Sequence, residues 1–206
     1  MGQDAVSTFV MKEEAKPLVF GLLAWLCFAV AVGVSGCFQH ASALGVAATV
    51  WTLTAVALWA CWKLRMIRHW VLVVDLRWLI AVHLTRFVGI YFLVLGRRGD
   101  LPEEFAKPAG IGDIAIATIA LIILAVPKRR MSRRLVLAWN TLGLIDIIFV
   151  AFSALQAGLG DWLSMAPLRE LPLSLLPTFL VPLIITSHVL IFVRLAGPRH
   201  TAEKNE

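Results

Sequence analysis

What this sequence lacks removes several functions at once. Its three cysteines, Cys27, Cys37 and Cys61, give no even disulfide framework and no metal-binding spacing. It has no Gly-rich phosphate loop, no His-Glu-x-x-His zinc motif and no Gly-x-Ser-x-Gly nucleophile elbow. An enzyme would have to be built from scattered residues, so the balance leans away from catalysis. All six lysines fall in loops or tails, which excludes a retinal-type Schiff base inside the apolar segments. Internal repeats and low-complexity tracts are missing too, and with them any sign of an inverted-repeat transporter.

Apolar residues are what the chain has in excess. They make up 60% of its 206 residues, against roughly 45–50% in a soluble domain. Six segments reach the ~20 helical residues needed to cross a bilayer: Leu18 to Ser35, Ala41 to Trp62, Val73 to Leu95, Ala109 to Val126, Leu135 to Leu155 and Leu173 to Leu195. Barrel strands would be half as long and alternate in polarity, so the expected fold is an all-α, six-helix transmembrane bundle over 18–195. Short tails, 1–17 and 196–206, flank it.

Of the 19 Lys and Arg residues, 13 lie on the side of the tails, the 2-3 connection and the 4-5 loop. Only Arg97, Arg98, Lys107 and Arg169 lie on the other side, while Arg77 and Arg86 lie within the third segment. The positive-inside rule then places both termini in the cytoplasm. The net charge of +6 is topological and implies no nucleic-acid partner. The run Lys128-Arg129-Arg130-Met131-Ser132-Arg133-Arg134 also suits anionic lipid headgroups. Trp59, Trp62, Trp70, Trp78 and Trp139 are expected at headgroup level on the same side.

Val34-Ser35-Gly36-Cys37 is similar to a lipoprotein cleavage box, against which stands an uncleaved signal anchor; Val6 spoils a myristoylation pattern. Small residues at Ala41, Gly45, Ala48, Thr52 and Ala55 form one stripe, expected to pack the second helix closely. Asp100, Pro102 and Glu103 have the chemistry of a helix start, and a short interfacial helix is expected ahead of Ala109. Pro177 and Pro182 predict a kink with freed carbonyls in the sixth helix.

Arg86 is the residue that most needs explaining. Its guanidinium stays charged, and placing it in a bilayer costs from a few to more than ten kcal/mol without a partner. At ~1.5 Å of rise per residue, Asp146 falls at nearly the same depth, whereas Asp113 is expected near the far surface as the alternative partner. Two readings stand: a clamp between the third and fifth helices, or a site where Arg86 meets an anionic or carbonyl group of a ligand. His83 shares a face with Arg86, His188 lies at matching depth, and Asn140 lies near the inner end. Two histidines on different helices suggest axial ligands of a haem b as an alternative; with an aspartate they suggest a transition metal, though Asp113 looks too far out. Ser187 and His188 are adjacent and face different ways, so no local Ser-His dyad is expected.

The run Arg86-Phe87-Val88-Gly89, Leu101-Pro102-Glu103-Glu104-Phe105-Ala106 and Ala109-Gly110-Ile111-Gly112-Asp113 resembles a group of small bacterial inner-membrane proteins with no assigned activity. Phe179-Leu180-Val181-Pro182 followed by His188 looks like their last helix, and the likeness covers roughly residues 80 to 195. It implies a multi-pass protein of the bacterial inner membrane in which Arg86, Asp113 and His188 matter. The leading expectation is recognition or transport of a small polar or anionic solute with proton coupling through Asp146 and His188. A haem or metal redox protein and a structural or sensor subunit are the alternatives, and the sequence leaves oligomerisation open.

Overall fold

Without water to bond to, backbone amides of a long apolar segment find partners only along their own helix. The structure, a computed structural model, describes residues 3–196, with side chains from residue 16 onward except at 72. The expectations placed on Arg199 and Lys204 lie outside the described residues, and that on the Lys12 side chain lies outside the described side chains. Every regular element described is helical: α1 (Gln3–Val34), α2 (Ala43–Lys63), α3 (Arg65–Val73), α4 (Leu76–Arg98), α5 (Glu103–Ala125), α6 (Arg133–Gly160) and α7 (Leu176–Ala196). All except α3 contain a stretch long and apolar enough to cross a membrane, that of α1 being Lys16–Val34.

Two boundaries differ from expectation for physical reasons. No separate interfacial helix precedes the fourth span, because α5 runs unbroken from Glu103. Leu101, Phe105 and Ala106 are buried against Phe92 and Leu95, so the first turn of α5 is drawn into the core. Pro102 stands at the N-cap, and Asp100 makes no side-chain cap. Glu103 and Glu104 instead complement the helix dipole. The second difference is α3, which occupies the stretch expected as a connection between the second and third segments. The chain breaks after it at Val74, and Asp75 caps α4 by accepting from the Arg77 amide at 3.1 Å.

Basic side chains at this end of the bundle terminate helices. Arg77 donates to the carbonyls of Val126, at 2.9 Å, and Leu124 at the end of α5. Arg133 donates to Leu195 O at the end of α7, and Arg194 to Val71 O at 2.7 Å near the end of α3. Each guanidinium meets carbonyls that have no intrahelical donor. Lys128 pairs with Asp75. Burial works against the Asp75 charge, but the bonds from Lys128 and the Arg77 amide outweigh it and hold its carboxyl below the usual value.

Two expectations about side-chain placement are corrected. In α2 the small residues Ala48, Thr52 and Ala55 face outward, while Ala43, Val50 and Thr54 are buried. Val50 packs against Ile147, Ile184 and Ile185, giving more contact than the small stripe offers. Trp139 is not at an interface: it is 2% exposed, and its Nε1 donates to Ile116 O at 3.0 Å. Trp59, Trp62 and Trp78 are exposed.

The expected distortion of the sixth span is present as a π turn, Leu176–Leu180, leading into the α-helix Val181–Ala196. Pro182 has no amide hydrogen to give to Thr178 O, four residues back. Trp25 of α1 supplies the missing donor, its Nε1 lying 2.9 Å from that oxygen. Trp25→Phe should therefore cost about 1 kcal/mol in thermal unfolding. The cost should be smaller in a Pro182→Ala background, where a backbone amide is restored; equal costs in both backgrounds would contradict this pairing.

Candidate functional site

Halfway along α4 the helix tightens into a 3₁₀ stretch, Val82–Val88. Three residues per turn align positions three apart, so His83 and Arg86 stand one above the other. Both are 0% exposed. The α4 and α5 backbones meet just beyond: a Cβ at Gly89 would lie 2.6 Å from Gly110 O, and one at Gly110 would lie 2.7 Å from Gly89 O. Only glycines allow this approach, which brings Asp113 to Arg86.

The Arg86 side chain has three partners on two helices. Its Nε donates to Asp113 Oδ1 at 2.7 Å, Nη1 donates to Gly143 O at 3.0 Å, and Nη2 donates to Asp146 Oδ2. Both candidate carboxylates are thus engaged. Asp113 is deeper than expected because α5 begins at Glu103, several residues before the predicted start. Asp146 reaches the guanidinium past Gly112, where any Cβ would collide with its carboxylate. The Asp146 side chain keeps 22% exposure, against 5% for that of Asp113.

A second polar cluster adjoins the first. His83 Nε2 lies 3.0 Å from Ser187 Oγ, whose single hydrogen is given to Ile184 O at 2.8 Å. Ser187 therefore accepts from His83, which carries its proton on Nε2 and leaves Nδ1 with a lone pair. Asn140 Nδ2 donates to His188 O at 3.0 Å, and its Oδ1 accepts from His188 Nδ1 at 2.8 Å. His188 Nε2 is then the bare nitrogen. Neither bare nitrogen has a hydrogen-bond partner among the described residues, and both are buried. Gly143 joins the clusters: its carbonyl binds Arg86, and a Cβ there would lie 2.6 Å from His188 Cε1.

The histidines do not fit a haem. Their ring centroids are 4.1 Å apart, in direct contact, and Trp139 lies edge-on to His83 at 4.9 Å. Axial imidazoles bind iron from opposite faces of a macrocycle, and no layer of that thickness separates these rings. No group of three or more His, Cys, Asp or Glu able to hold a metal occurs among the described residues.

All six residues singled out in the sequence, Arg86, Asp146, His188, His83, Asp113 and Asn140, belong to this one layer. Apolar clusters bound it on both sides: Phe92, Leu101, Phe105 and Leu173 away from the basic loops, and Leu79, Ile80, Ile123 and Ile191 toward them. Residues 41–196 match the family described as Domain of unknown function (DUF8737). The chain belongs to this family. No curated protein and no solved structure matches it. The DUF8737 region holds the entire polar layer and leaves α1 outside.

Sequence reasoning missed Ser187 as a partner of His83 and missed Gly143, and it had Gly89 and Gly112 only as part of the resemblance, without their packing roles. The signal was present in glycines near charged residues in apolar segments, but a single glycine does not say which neighbour it admits. Removing Arg86 alone leaves two carboxylates facing each other without a cation. Arg86→Met should destabilise the bundle by about 3–5 kcal/mol in thermal unfolding. Adding Asp113→Asn and Asp146→Asn should recover most of that loss; a triple variant as unstable as the single one would contradict the electrostatic origin.

Proposed function

We propose that this DUF8737 protein is a multi-pass inner-membrane protein of bacterial type that binds a proton, together with a small polar solute, at the Arg86–Asp113–Asp146 cluster. Both termini are cytoplasmic in this reading, following the 13 to 4 division of Lys and Arg. A charge count carries the proposal. One guanidinium lies between two carboxylates, and no other Lys or Arg pairs with either among the described residues. In a bilayer an uncompensated charge costs several kcal/mol, so the cluster reaches neutrality by taking one proton or one cationic group.

The same count reverses part of the sequence expectation. An anionic solute would add a third negative group beside Arg86, whereas a proton or a cation completes the set. His83 Nδ1 and His188 Nε2 lie behind the cluster as buried nitrogens without a hydrogen-bond partner among the described residues, and burial beside the Arg86 charge keeps both rings neutral. Proton coupling then means that a proton and the cationic solute compete for the same carboxylate pair.

A purely structural role is the second reading. It is favoured by the observation that all three nitrogens of Arg86 already have partners. Infrared difference spectra of the reconstituted protein separate the two. Acidification should produce a carboxylic C=O band in the wild type that is lost in Asp113→Asn or in Asp146→Asn. A folded wild type with no titrating carboxyl across the physiological pH range, or with a band that survives in both variants, would favour the clamp.

A further inference from the structure

In the half of the bundle away from the basic loops, α2, α4, α5, α6 and α7 leave a crevice of about 90 Å³ between them. Its walls are apolar: Val50, Phe92, Phe105, Val150 and Ile184 are typical. A closed cavity of roughly 150 Å³ lined by similar side chains takes benzene and stays free of water; this crevice is smaller but not enclosed, so a ring seated in it would keep one edge outside. Arg86, Asp113 and Thr85 are the only charged or hydroxyl-bearing residues lining it.

Access is sideways. Trp162 and Leu168 lie over the crevice where the α6–α7 connection crosses the bundle end. This cover is pinned: Trp162 Nε1 donates to Ala41 O at 2.9 Å, Arg169 donates to Gln39 O at 2.7 Å and Trp162 O at 3.1 Å, and the Arg169 guanidinium stacks 4.5 Å over the Trp162 ring. Trp51 and Phe152 also line the crevice, yet are 40% and 54% exposed, with ring centroids 6.2 Å apart. They lie roughly two helical turns inside the ends of α2 and α6, at a depth where exposure means lipid.

The polar end of the crevice sets the chemistry of its occupant. Arg86 holds Asp113 Oδ1, and Oδ2 has no hydrogen-bond donor among the described residues. Thr85 gives its hydroxyl hydrogen to Val82 O at 2.7 Å and retains only acceptor capacity. The free capacity beside Asp113 is therefore for a donor, next to a cluster that is short of one positive charge. We propose that this crevice binds a membrane-partitioned molecule with a ring-sized apolar body and one cationic amine end, the ring between Val50, Phe92 and Val150 and the amine on Asp113. The proposal rests on the charge count above, and it adds the ligand class and a route from the bilayer.

Three matched probes test it on the purified full chain: phenethylamine, 3-phenylpropionate and 3-phenylpropanol, followed by calorimetry and by melting temperature. The amine should bind at least tenfold more tightly than the carboxylate or the alcohol, and Asp113→Asn should abolish that preference. Ala151→Phe fills the crevice without changing charge, so it should block the amine even if the Asp113 variant folds poorly. Equal binding of all three probes, preference for the carboxylate, or amine binding that survives Ala151→Phe would each overturn the proposal. Absence of amine binding in a protein whose carboxyl band still titrates would sink this inference alone; absence of the band as well would sink both.

Discussion

A guanidinium cannot shed its charge, and most of what is distinctive in this bundle follows from burying one completely. Arg86 needs acceptors in the middle of a helix bundle, so two helices bring a carboxylate each and a third acceptor comes from the backbone of α6. Their convergence requires α4 and α5 to touch at Gly89 and Gly110, Gly112 to yield to Asp146, and Gly143 to yield to His188. The 3₁₀ stretch in α4 aligns His83 with Arg86 and so couples the imidazoles to the same layer.

The arrangement is economical in two ways. The layer is sealed by apolar clusters, so its hydrogen bonds work at low dielectric, where a satisfied network is strong and an unsatisfied member is costly. It also leaves a definite remainder among the described residues: one carboxylate more than there are cations in the cluster, and two imidazole nitrogens without a hydrogen-bond partner. A clamp alone would need only one carboxylate. The excess carboxylate sits on the same residues that hold the bundle together, which is why the proposed function and the fold depend on one cluster.

Much of the fold was legible because length and hydropathy have direct physical consequences in lipid. Six helices long and apolar enough to cross a membrane emerge at the expected places, the fourth starting earlier and the fifth ending later than expected, and the matching depth of Arg86 and Asp146 follows from helical rise. Asp113 was misplaced because the stretch from Asp100 was read as a short interfacial helix ahead of a span starting at Ala109, while burial of Leu101 and Phe105 accompanies an α5 that is continuous from Glu103 through Pro108. The α3 helix and the guanidinium caps on Leu124, Val126, Val71 and Leu195 were illegible, since they depend on which helix end comes near which arginine. Burial of Trp139 against the histidines was likewise hidden, because a tryptophan near a helix end has an interfacial use that needs no tertiary knowledge.

The central claim is that one guanidinium is shared between two carboxylates on different helices. Solid-state NMR on the reconstituted protein reads this directly, through dipolar coupling between ¹⁵N in the Arg86 side chain and ¹³C in the Asp113 and Asp146 carboxyls. The account predicts couplings from Nε to Asp113 and from an Nη nitrogen to Asp146 in the same sample. Coupling to one carboxyl only, or to neither, would contradict it.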